Sequence, residues 1–217
     1  MPEDRDPREH WNAVYSKKDR TAVSWYEATP VRSLAWIAAT SVTKDTPIID
    51  VGGGPSPLAE RLIDLGYRDV TVLDVSDEAL RRLEGSAGVH TILADVARWR
   101  PQRTYGVWHD RALLHFLTSD AERDHYFAAL TQAVVLGGHV LIATFAPNGP
   151  EQCSGLPVRR YGLRDLSSLL GPAFAVEGSE QFDHHTPSGS VQRFHVGKFR
   201  RVIAQALSHP SAPSPPP

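Results

Sequence analysis

Three aspartates each follow a short apolar segment of this sequence, and a run of glycines comes soon after the first. Asp50 precedes the glycines at 52–54, Asp74 ends the segment DVTVLD, and Asp95 follows the segment VHTILA. Glycines let the backbone turn sharply and approach a ligand closely at the positive end of a helix. A carboxylate beside that turn would repel a pyrophosphate but attract an ammonium or sulfonium group. The pattern therefore favours a ligand that carries such a cation.

A nicotinamide-dependent reductase is the competing interpretation of the glycine run. Dinucleotide-binding folds use the spacing G-x-G-x-x-G, whose third glycine lets a helix pack closely over the pyrophosphate. Gly52 and Gly54 fit this spacing, but Pro57 occupies the third position. Asp74 is placed to accept hydrogen bonds from both ribose hydroxyls, and Asp95 could accept one from an adenine amino group. An adenosine ligand without a pyrophosphate is therefore favoured.

The elements that must position these aspartates alternate between strand and helix. Strands are predicted at 47–51, 69–74, 89–93, 105–110 and 139–145, and helices lie between them. After them come a helix at 163–171 and an antiparallel strand pair at 173–177 and 191–200. Such alternation is typical of a parallel sheet that is covered on both faces. We predict an α/β fold: a Rossmann-like doubly wound seven-stranded sheet, mostly parallel, with an antiparallel edge strand.

Five segments of this region occur in an order and spacing that resemble a known family. They are IIDVGGG, VTVLDVS, LADV, VWHDRALLHFL and LGGHVLIATF, over roughly residues 46–146. The chain resembles the class I S-adenosylmethionine-dependent methyltransferases. The flanking HWNAVYSKK and VSWYE resemble a bacterial subset of small methyltransferases with an SWYE-type aromatic N-terminal lid. A more distant similarity is to protein-lysine methyltransferases of the citrate-synthase type.

The resemblance implies a methyltransferase of the EC 2.1.1 type with S-adenosyl-L-methionine as its cofactor. It also implies that Asp50 and the glycine loop hold the methionine portion, Asp74 the ribose, and Asp95 with Val96 the adenine. An alternative for the aromatic residues of the N-terminal region is ordinary core packing. The cofactor-binding candidates are Trp11, Tyr15, Trp25, Asp50, Gly52, Gly53, Gly54, Asp74, Val75, Asp95, Val96 and Asp110.

Two residues after the fourth predicted strand are candidates for catalysis. Asp110 ends that strand and, by the resemblance, faces the reaction centre, and His115 follows it toward the substrate side. Either could take a proton from an amine, hydroxyl or imidazole, whereas a thiolate acceptor would need no base. The alternative for His115 is an ordinary loop histidine. Candidates for substrate contact are Tyr26, Arg111, Cys153, Arg159 and Tyr161.

The favoured function is in-line methyl transfer to a small-molecule nucleophile. The alternative is a protein-lysine methyltransferase, and a nicotinamide-dependent reductase or a non-catalytic cofactor-binding module is less favoured. We expect residues 1–45 to form N-terminal helices and an aromatic lid, in one domain with a core at 46–207. Residues 208–217, rich in Ser and Pro, are expected to be a disordered tail.

The composition of the chain limits which kinds of partner and which cellular compartment we expect. A net charge of -2 argues against nucleic acid as a partner, and no apolar run approaches the length of a membrane helix. A single cysteine excludes an intrachain disulfide, and the 10 histidines form no compact ligand set, so no metal is expected. The N-terminus lacks the apolar stretch of a signal peptide. We expect a cytoplasmic monomer or homodimer that acts on a small molecule, with a protein substrate possible.

Overall fold

The computed structural model describes residues 6–17 and 19–202, in which strands and helices alternate along the chain. The helices are α1 (Pro7–Lys17), α2 (Val31–Ala39), α3 (Leu58–Asp64), α4 (Asp77–Arg81), α5 (Asp120–Ala133) and α6 (Leu163–Leu170). The strands are β1 (Ile48–Val51), β2 (Val70–Asp74), β3 (Val89–Leu93), β4 (Tyr105–Arg111), β5 (Val134–Phe145), β6 (Gln152–Cys153), β7 (Leu156–Pro157), β8 (Phe174–His185) and β9 (Val191–Arg201).

Seven of these strands form one sheet in the order β3-β2-β1-β4-β5-β9-β8. The strands from β3 to β5 pair in parallel, whereas β9 runs antiparallel to both β5 and β8. The sheet thus has the seven strands, the mostly parallel order and the antiparallel pairing at one edge that the sequence predicts. The carboxyl ends of β1, β2, β3 and β4 consequently lie along one edge, where open sheets of this kind bind ligands.

The sheet is buried on both faces because successive side chains of a strand point to opposite sides. On β5, Val140 and Ile142 belong to one apolar cluster, which also contains Tyr126 of α5 and Leu166 of α6. Leu141 and Ala143 of the same strand belong to a second cluster, with residues of α2 and α3. The helices therefore cover opposite faces and leave the strand ends free for a site.

Several element boundaries differ from the sequence predictions. β5 begins at Val134, five residues before the predicted start at 139, and its pairing with β4 is irregular there. β8 extends to His185, well past the predicted end at 177. The short hairpin of β6 and β7 was not predicted. No helix among the described residues is long and apolar enough to cross a membrane, and the tail at 208–217 lies outside them.

Candidate active site

Two adjoining cavities open beside the glycine loop at the carboxyl ends of the parallel strands. The larger cavity has a volume of about 960 Å³, and its walls include Trp11, Tyr15, Gly52, Asp74, Asp95 and Phe116. The smaller cavity, of about 550 Å³, is lined by residues that include Tyr26, Ser33, Asp50, Gly53 and His109. Trp25, Gly52 and Arg111 line both cavities. The two spaces therefore meet at the first glycine of the loop.

The glycine loop depends on close approach by two side chains from elsewhere in the chain. Gly52 has a φ of +68°, and a Cβ there would lie 2.3 Å from Cδ1 of Leu113. Gly54 has a φ of +56°, and a Cβ there would lie 2.7 Å from the Tyr15 hydroxyl oxygen. Left-handed backbone and lack of space both exclude larger residues at these positions. The loop is thus packed between Leu113 and Tyr15, and Gly52 lies at the wall of both cavities.

Asp74 is a buried carboxylate at the wall of the larger cavity. Its Oδ2 accepts a hydrogen bond from the Gly54 amide at 2.9 Å, and its Oδ1 accepts one from the Ser76 amide at 2.8 Å. Burial raises the pKa of Asp74 to about 6, although these two bonds act in the opposite direction. A carboxylate this desolvated gains from any further hydrogen-bond donor, such as a ligand hydroxyl.

The third predicted carboxylate lies in the same cavity as Asp74. Asp95 is partly exposed and accepts a hydrogen bond from the Ala97 amide at 2.9 Å. Val96 beside it is buried in the core, and Val75 follows Asp74 at the same wall. The structure therefore brings together the residues predicted for the ribose and the adenine.

Asp50 lies in the smaller cavity, across Gly52 from the other two carboxylates. Its Oδ1 is 2.7 Å from Nδ1 of His109, and Nε2 of that ring is 2.9 Å from the Ser33 hydroxyl oxygen. All three side chains are buried. Sequence reasoning missed Ser33 and His109, because only the register of β1 against β4 places His109 beside Asp50.

An aromatic lid, formed by Trp11, Tyr15 and Trp25, covers the larger cavity. The ring centroid of Trp11 is 5.8 Å from that of Trp25, and that of Tyr15 is 6.1 Å from Trp25. Trp11 also meets Phe116 edge to face at 4.9 Å. Tyr15 is buried, whereas the two tryptophans are partly exposed at the cavity mouth. The three lid residues therefore line one side of the cavity and its mouth.

Polar contacts fix the lid helix α1 on helix α4. The side-chain Nδ2 of Asn12 donates to Asp77 at 2.6 Å, and the Ser76 hydroxyl donates to the side-chain Oδ1 of Asn12 at 2.6 Å. Arg82 also donates to the Tyr15 carbonyl oxygen. Ser76 is also the N-cap of α4, where its hydroxyl accepts a hydrogen bond from the Ala79 amide. The same turn that follows Asp74 thus anchors the lid.

A partly buried ion pair holds the loop that carries Trp25. Arg111 lies 3.0 Å from Glu27 and donates to the Trp25 carbonyl oxygen at 3.1 Å. His184, from the end of β8, is 2.7 Å from the Ser24 carbonyl oxygen. Burial lowers the pKa of Arg111, and Glu27 opposes this effect. Glu27 ends the SWYE segment quoted above, but its contact with Arg111 and the contact of His184 with Ser24 join distant parts of the chain and were not predicted.

Asp110 does not occupy the position predicted for a catalytic or cofactor-binding residue. It is completely buried and is absent from the walls of both cavities. Its carboxylate accepts hydrogen bonds from the Leu113 and Leu114 amides at 2.9 and 3.1 Å and from the Tyr126 hydroxyl at 2.7 Å. Burial raises the pKa of Asp110 to about 6. Its carboxylate therefore closes the turn after β4, and this placement does not support the predicted catalytic and cofactor-binding roles.

His115 is likewise buried away from both cavities. Its ring packs against Phe116 and Phe145, with centroid distances of 4.4 and 4.7 Å. Neither ring nitrogen has a hydrogen-bond partner among the described residues, and burial lowers the pKa of His115 to about 3. So weak a base without access to the cavity does not suit proton abstraction. The predicted catalytic role is therefore not supported.

The predicted substrate residues divide into two groups. Tyr26 lines the smaller cavity, Cys153 lines the larger one, and Arg111 lines both. Arg159 instead lies half-exposed on the surface, where it donates to the Thr118 carbonyl oxygen at 3.3 Å. Tyr161 packs in the core beneath the sheet. The predicted substrate contacts of Arg159 and Tyr161 are not supported, because neither residue lines one of the two cavities.

The sequence was compared with protein families and with known proteins. No protein-family model matches the chain. The chain is 23% identical over 150 residues to the eEF1A lysine and N-terminal methyltransferase of Mus musculus, covering 64% of this chain and 21% of that protein. The Homo sapiens protein of that name is 22% identical over 218 residues, covering 92% of this chain and 30% of that protein. The chain thus spans between a fifth and a third of these relatives.

Solved structures share the fold over nearly the whole chain. One solved structure has a TM-score of 0.73 and 20% identity, covering 93% of this chain and 95% of that one. It is described as showing the conversion of a disulfide bond into a thioacetal group during echinomycin biosynthesis. A methyltransferase from Anabaena variabilis has a TM-score of 0.70 and 15% identity, covering 91% and 96%. The 1,6-didemethyltoxoflavin-N1-methyltransferase of Burkholderia thailandensis, with 1,6-didemethyltoxoflavin and S-adenosylhomocysteine bound, has a TM-score of 0.66 and 17% identity, covering 90% and 84%.

The predicted resemblance is confirmed by both kinds of comparison. The sequence relatives are lysine methyltransferases, as the distant similarity suggested, although their named substrate is eEF1A and not citrate synthase. The structural neighbours include methyltransferases solved with S-adenosylhomocysteine, which supports S-adenosyl-L-methionine as the cofactor. The chain has the fold of the S-adenosylmethionine-dependent methyltransferases and is similar in sequence to enzymes of that class.

Proposed function

We propose that this chain transfers a methyl group from S-adenosylmethionine to a small-molecule nucleophile held under the aromatic lid. The larger cavity carries this proposal, because it combines two carboxylates suited to a nucleoside with a largely aromatic and apolar wall. A concave, mostly apolar wall with a few convergent polar groups is typical of small-molecule sites. We therefore place the nucleoside and the acceptor at this wall.

The residues around the glycine loop fit the cofactor. Glycine at position 54 lets the Tyr15 hydroxyl and the Asp74 carboxylate both approach the loop, where the Gly54 amide donates to Oδ2 of Asp74 at 2.9 Å. Asp74 would accept from the ribose hydroxyls, Asp95 with Val96 would hold the adenine, and Asp50 would face the ammonium group. When bound, the cofactor supplies an electrophilic methyl group on a sulfonium sulfur.

The chain's own contribution is orientation and exclusion of water. Holding a nucleophile about 3–3.5 Å from the methyl carbon and in line with the leaving sulfur can supply several kcal/mol. Trp11, Trp25 and Phe116 restrict access to the cavity, and Phe145 and Phe194 add apolar walls. These rigid aromatic surfaces suit a flat or apolar acceptor.

The acceptor that we propose needs little help with proton removal. Asp110 and His115 lie outside both cavities, and Glu122, at the wall, is bound to the Ser119 hydroxyl at 2.8 Å. Asp74 and Asp95 are occupied by their proposed cofactor contacts. A thiolate, or an amine that is already neutral when it binds, meets this condition.

A protein-lysine methyltransferase is the second candidate. The observation in its favour is the similarity to lysine methyltransferases over 92% of this chain. Under this alternative, a lysine side chain of the partner protein would enter the larger cavity past Trp11 and Trp25. Aromatic faces can also attract an ammonium group, so the cavity wall is compatible with this acceptor.

Label transfer separates the two candidates. We expect the chain, incubated with tritiated S-adenosylmethionine and a cell extract, to form a tritiated small-molecule product that chromatography separates from the labelled cofactor. Asp74→Ala should abolish this label, whereas the control Asp64→Ala, which changes an exposed carboxylate on α3, should retain it. Tritium in a protein band that depends on Asp74 would contradict the small-molecule proposal and support the lysine candidate. No transfer to either kind of acceptor would count against both.

A further inference from the structure

We infer that His109 and Ser33 position Asp50 for the ammonium group of the cofactor, through a buried chain of hydrogen bonds that we call the Asp50 triad. The inference rests on the proposed function, since it concerns the same cofactor site. It assigns a role to two residues that neither touch the reacting atoms nor belong to the glycine loop.

The Asp50 triad is built from three separate elements. Asp50 on β1 and His109 on β4 are register partners on adjacent parallel strands, so their side chains point to the same face of the sheet. Ser33 comes from the first turn of α2, which packs over that face. The exposed fractions are 3% for Asp50 and 1% for each of the other two. Burial this complete makes each hydrogen bond costly to lose.

The charge state of the carboxylate fixes the direction of the bonds. An ionised carboxylate only accepts, so His109 donates its Nδ1 proton to Oδ1 of Asp50 across 2.7 Å. The ring is then held at its other end, where Nε2 lies 2.9 Å from the Ser33 hydroxyl oxygen. A ring that is bound at both nitrogens cannot rotate without breaking one buried bond. His109 thus sets the orientation of the Asp50 carboxylate.

This arrangement leaves one carboxylate oxygen of Asp50 for a ligand. Among the described residues, Oδ2 of Asp50 has no hydrogen-bond partner. It lies 2.5 Å from the position that a Cβ of Gly53 would take, so only glycine there permits this orientation. Asp50 and Gly53 both line the smaller cavity. The free oxygen is therefore available at the loop that is proposed to hold the methionine portion.

The charges around the smaller cavity favour a cation there. Arg111 lies at its wall, but its guanidinium is bound to Glu27 at 3.0 Å and to the Trp25 carbonyl oxygen. The wall thus carries the carboxylates of Asp50 and Glu27 against the one guanidinium of Arg111. An ammonium group placed beside Asp50 would offset the remaining negative charge.

Two ligands that differ at the ammonium end test the inference. S-adenosylhomocysteine carries the amino-acid group, whereas 5′-methylthioadenosine keeps the nucleoside and the sulfur but lacks that group. By calorimetry, His109→Phe should weaken S-adenosylhomocysteine binding at least tenfold and change 5′-methylthioadenosine binding less than threefold. His109→Asn, which keeps a donor for Asp50, should recover most of the loss, and Ser33→Ala should give an intermediate one.

The outcomes separate the inference from the proposed function. If the wild-type chain binds neither ligand, the proposed function fails. If it binds both, and His109→Phe weakens both equally or neither, the positioning role is overturned while the function stands. Thermal melting of each variant checks the fold, and Ser33→Ala, which removes a single buried oxygen, provides the second test if His109→Phe does not fold.

Discussion

Replacing His115 by leucine tests whether this histidine is a buried core residue, as its position indicates, or the catalytic base that the sequence suggests. The pKa of His115 is lowered to about 3 by burial, against 6.5 for a free histidine. Because the folded-state pKa is the lower one, stability is full above pH 6.5 and is lost as the pH falls toward 3. A pH of 5 lies about 1.5 units below the pKa of a free histidine. Lowering the pH from 7.5 to 5 should therefore reduce the free energy of unfolding by about 2 kcal/mol through His115.

Urea denaturation, followed by tryptophan fluorescence, measures this loss. The control is His90→Leu, which removes an exposed histidine from β3. Between pH 7.5 and pH 5, the wild-type chain and this control should each lose about 2 kcal/mol more free energy of unfolding than His115→Leu does. The raised pKa values of Asp74 and Asp110 act in the opposite direction, but they are common to all three proteins and cancel in the comparison. At pH 7.5, His115→Leu should be at least as stable as wild type, since it removes two buried nitrogens that lack partners.

The same variant should keep its methyltransferase activity within a few fold, because the His115 ring lies outside both cavities. Loss of a general base costs about 10²–10⁴ in rate. A loss of that size in a variant that melts like wild type would refute the structural reasoning and restore the catalytic assignment. An unchanged acid sensitivity would refute the burial argument.

Three further perturbations follow from the site. Gly52→Ala should lower the free energy of unfolding by about 1–3 kcal/mol more than Gly66→Ala in urea denaturation, because both glycines have positive φ but only Gly52 faces a side chain at 2.3 Å. Glu27→Gln should speed proteolysis of the lid loop and raise KM, since it leaves Arg111 buried without its carboxylate; cleavage as slow as in the exposed control Glu151→Gln would contradict this. Affinity for S-adenosylhomocysteine should fall as the pH drops through about 6, where Asp74 takes up a proton; a flat calorimetric profile would count against its contact with the ribose.

Local sequence signals predict the part of the site that is built from strand ends. Asp74 and Gly52 follow directly from an apolar segment and the turn after it, so their positions depend on few other residues. The alternation of strands and helices likewise determines the sheet, because each apolar segment must be buried on both faces.

Sequence reasoning fails where a side chain's direction depends on a turn or on distant contacts. Ala112 has a φ of +73°, a left-handed conformation that a non-glycine residue rarely adopts. It lies between Asp110, which binds the amides at 113 and 114, and His115, which packs in the core. His184 reaches the loop at Ser24 across 160 residues, and no local pattern reveals such a contact.

The central claim is that the carboxylates of Asp50, Asp74 and Asp95 serve one adenosyl ligand across two adjoining cavities. A crystal structure with S-adenosylhomocysteine tests it most directly. The account predicts ribose hydroxyls within hydrogen-bond distance of Asp74, the adenine beside Asp95, and the amino group beside Oδ2 of Asp50. A ligand bound outside these cavities, or one that leaves Asp74 without a ribose contact, would contradict the account.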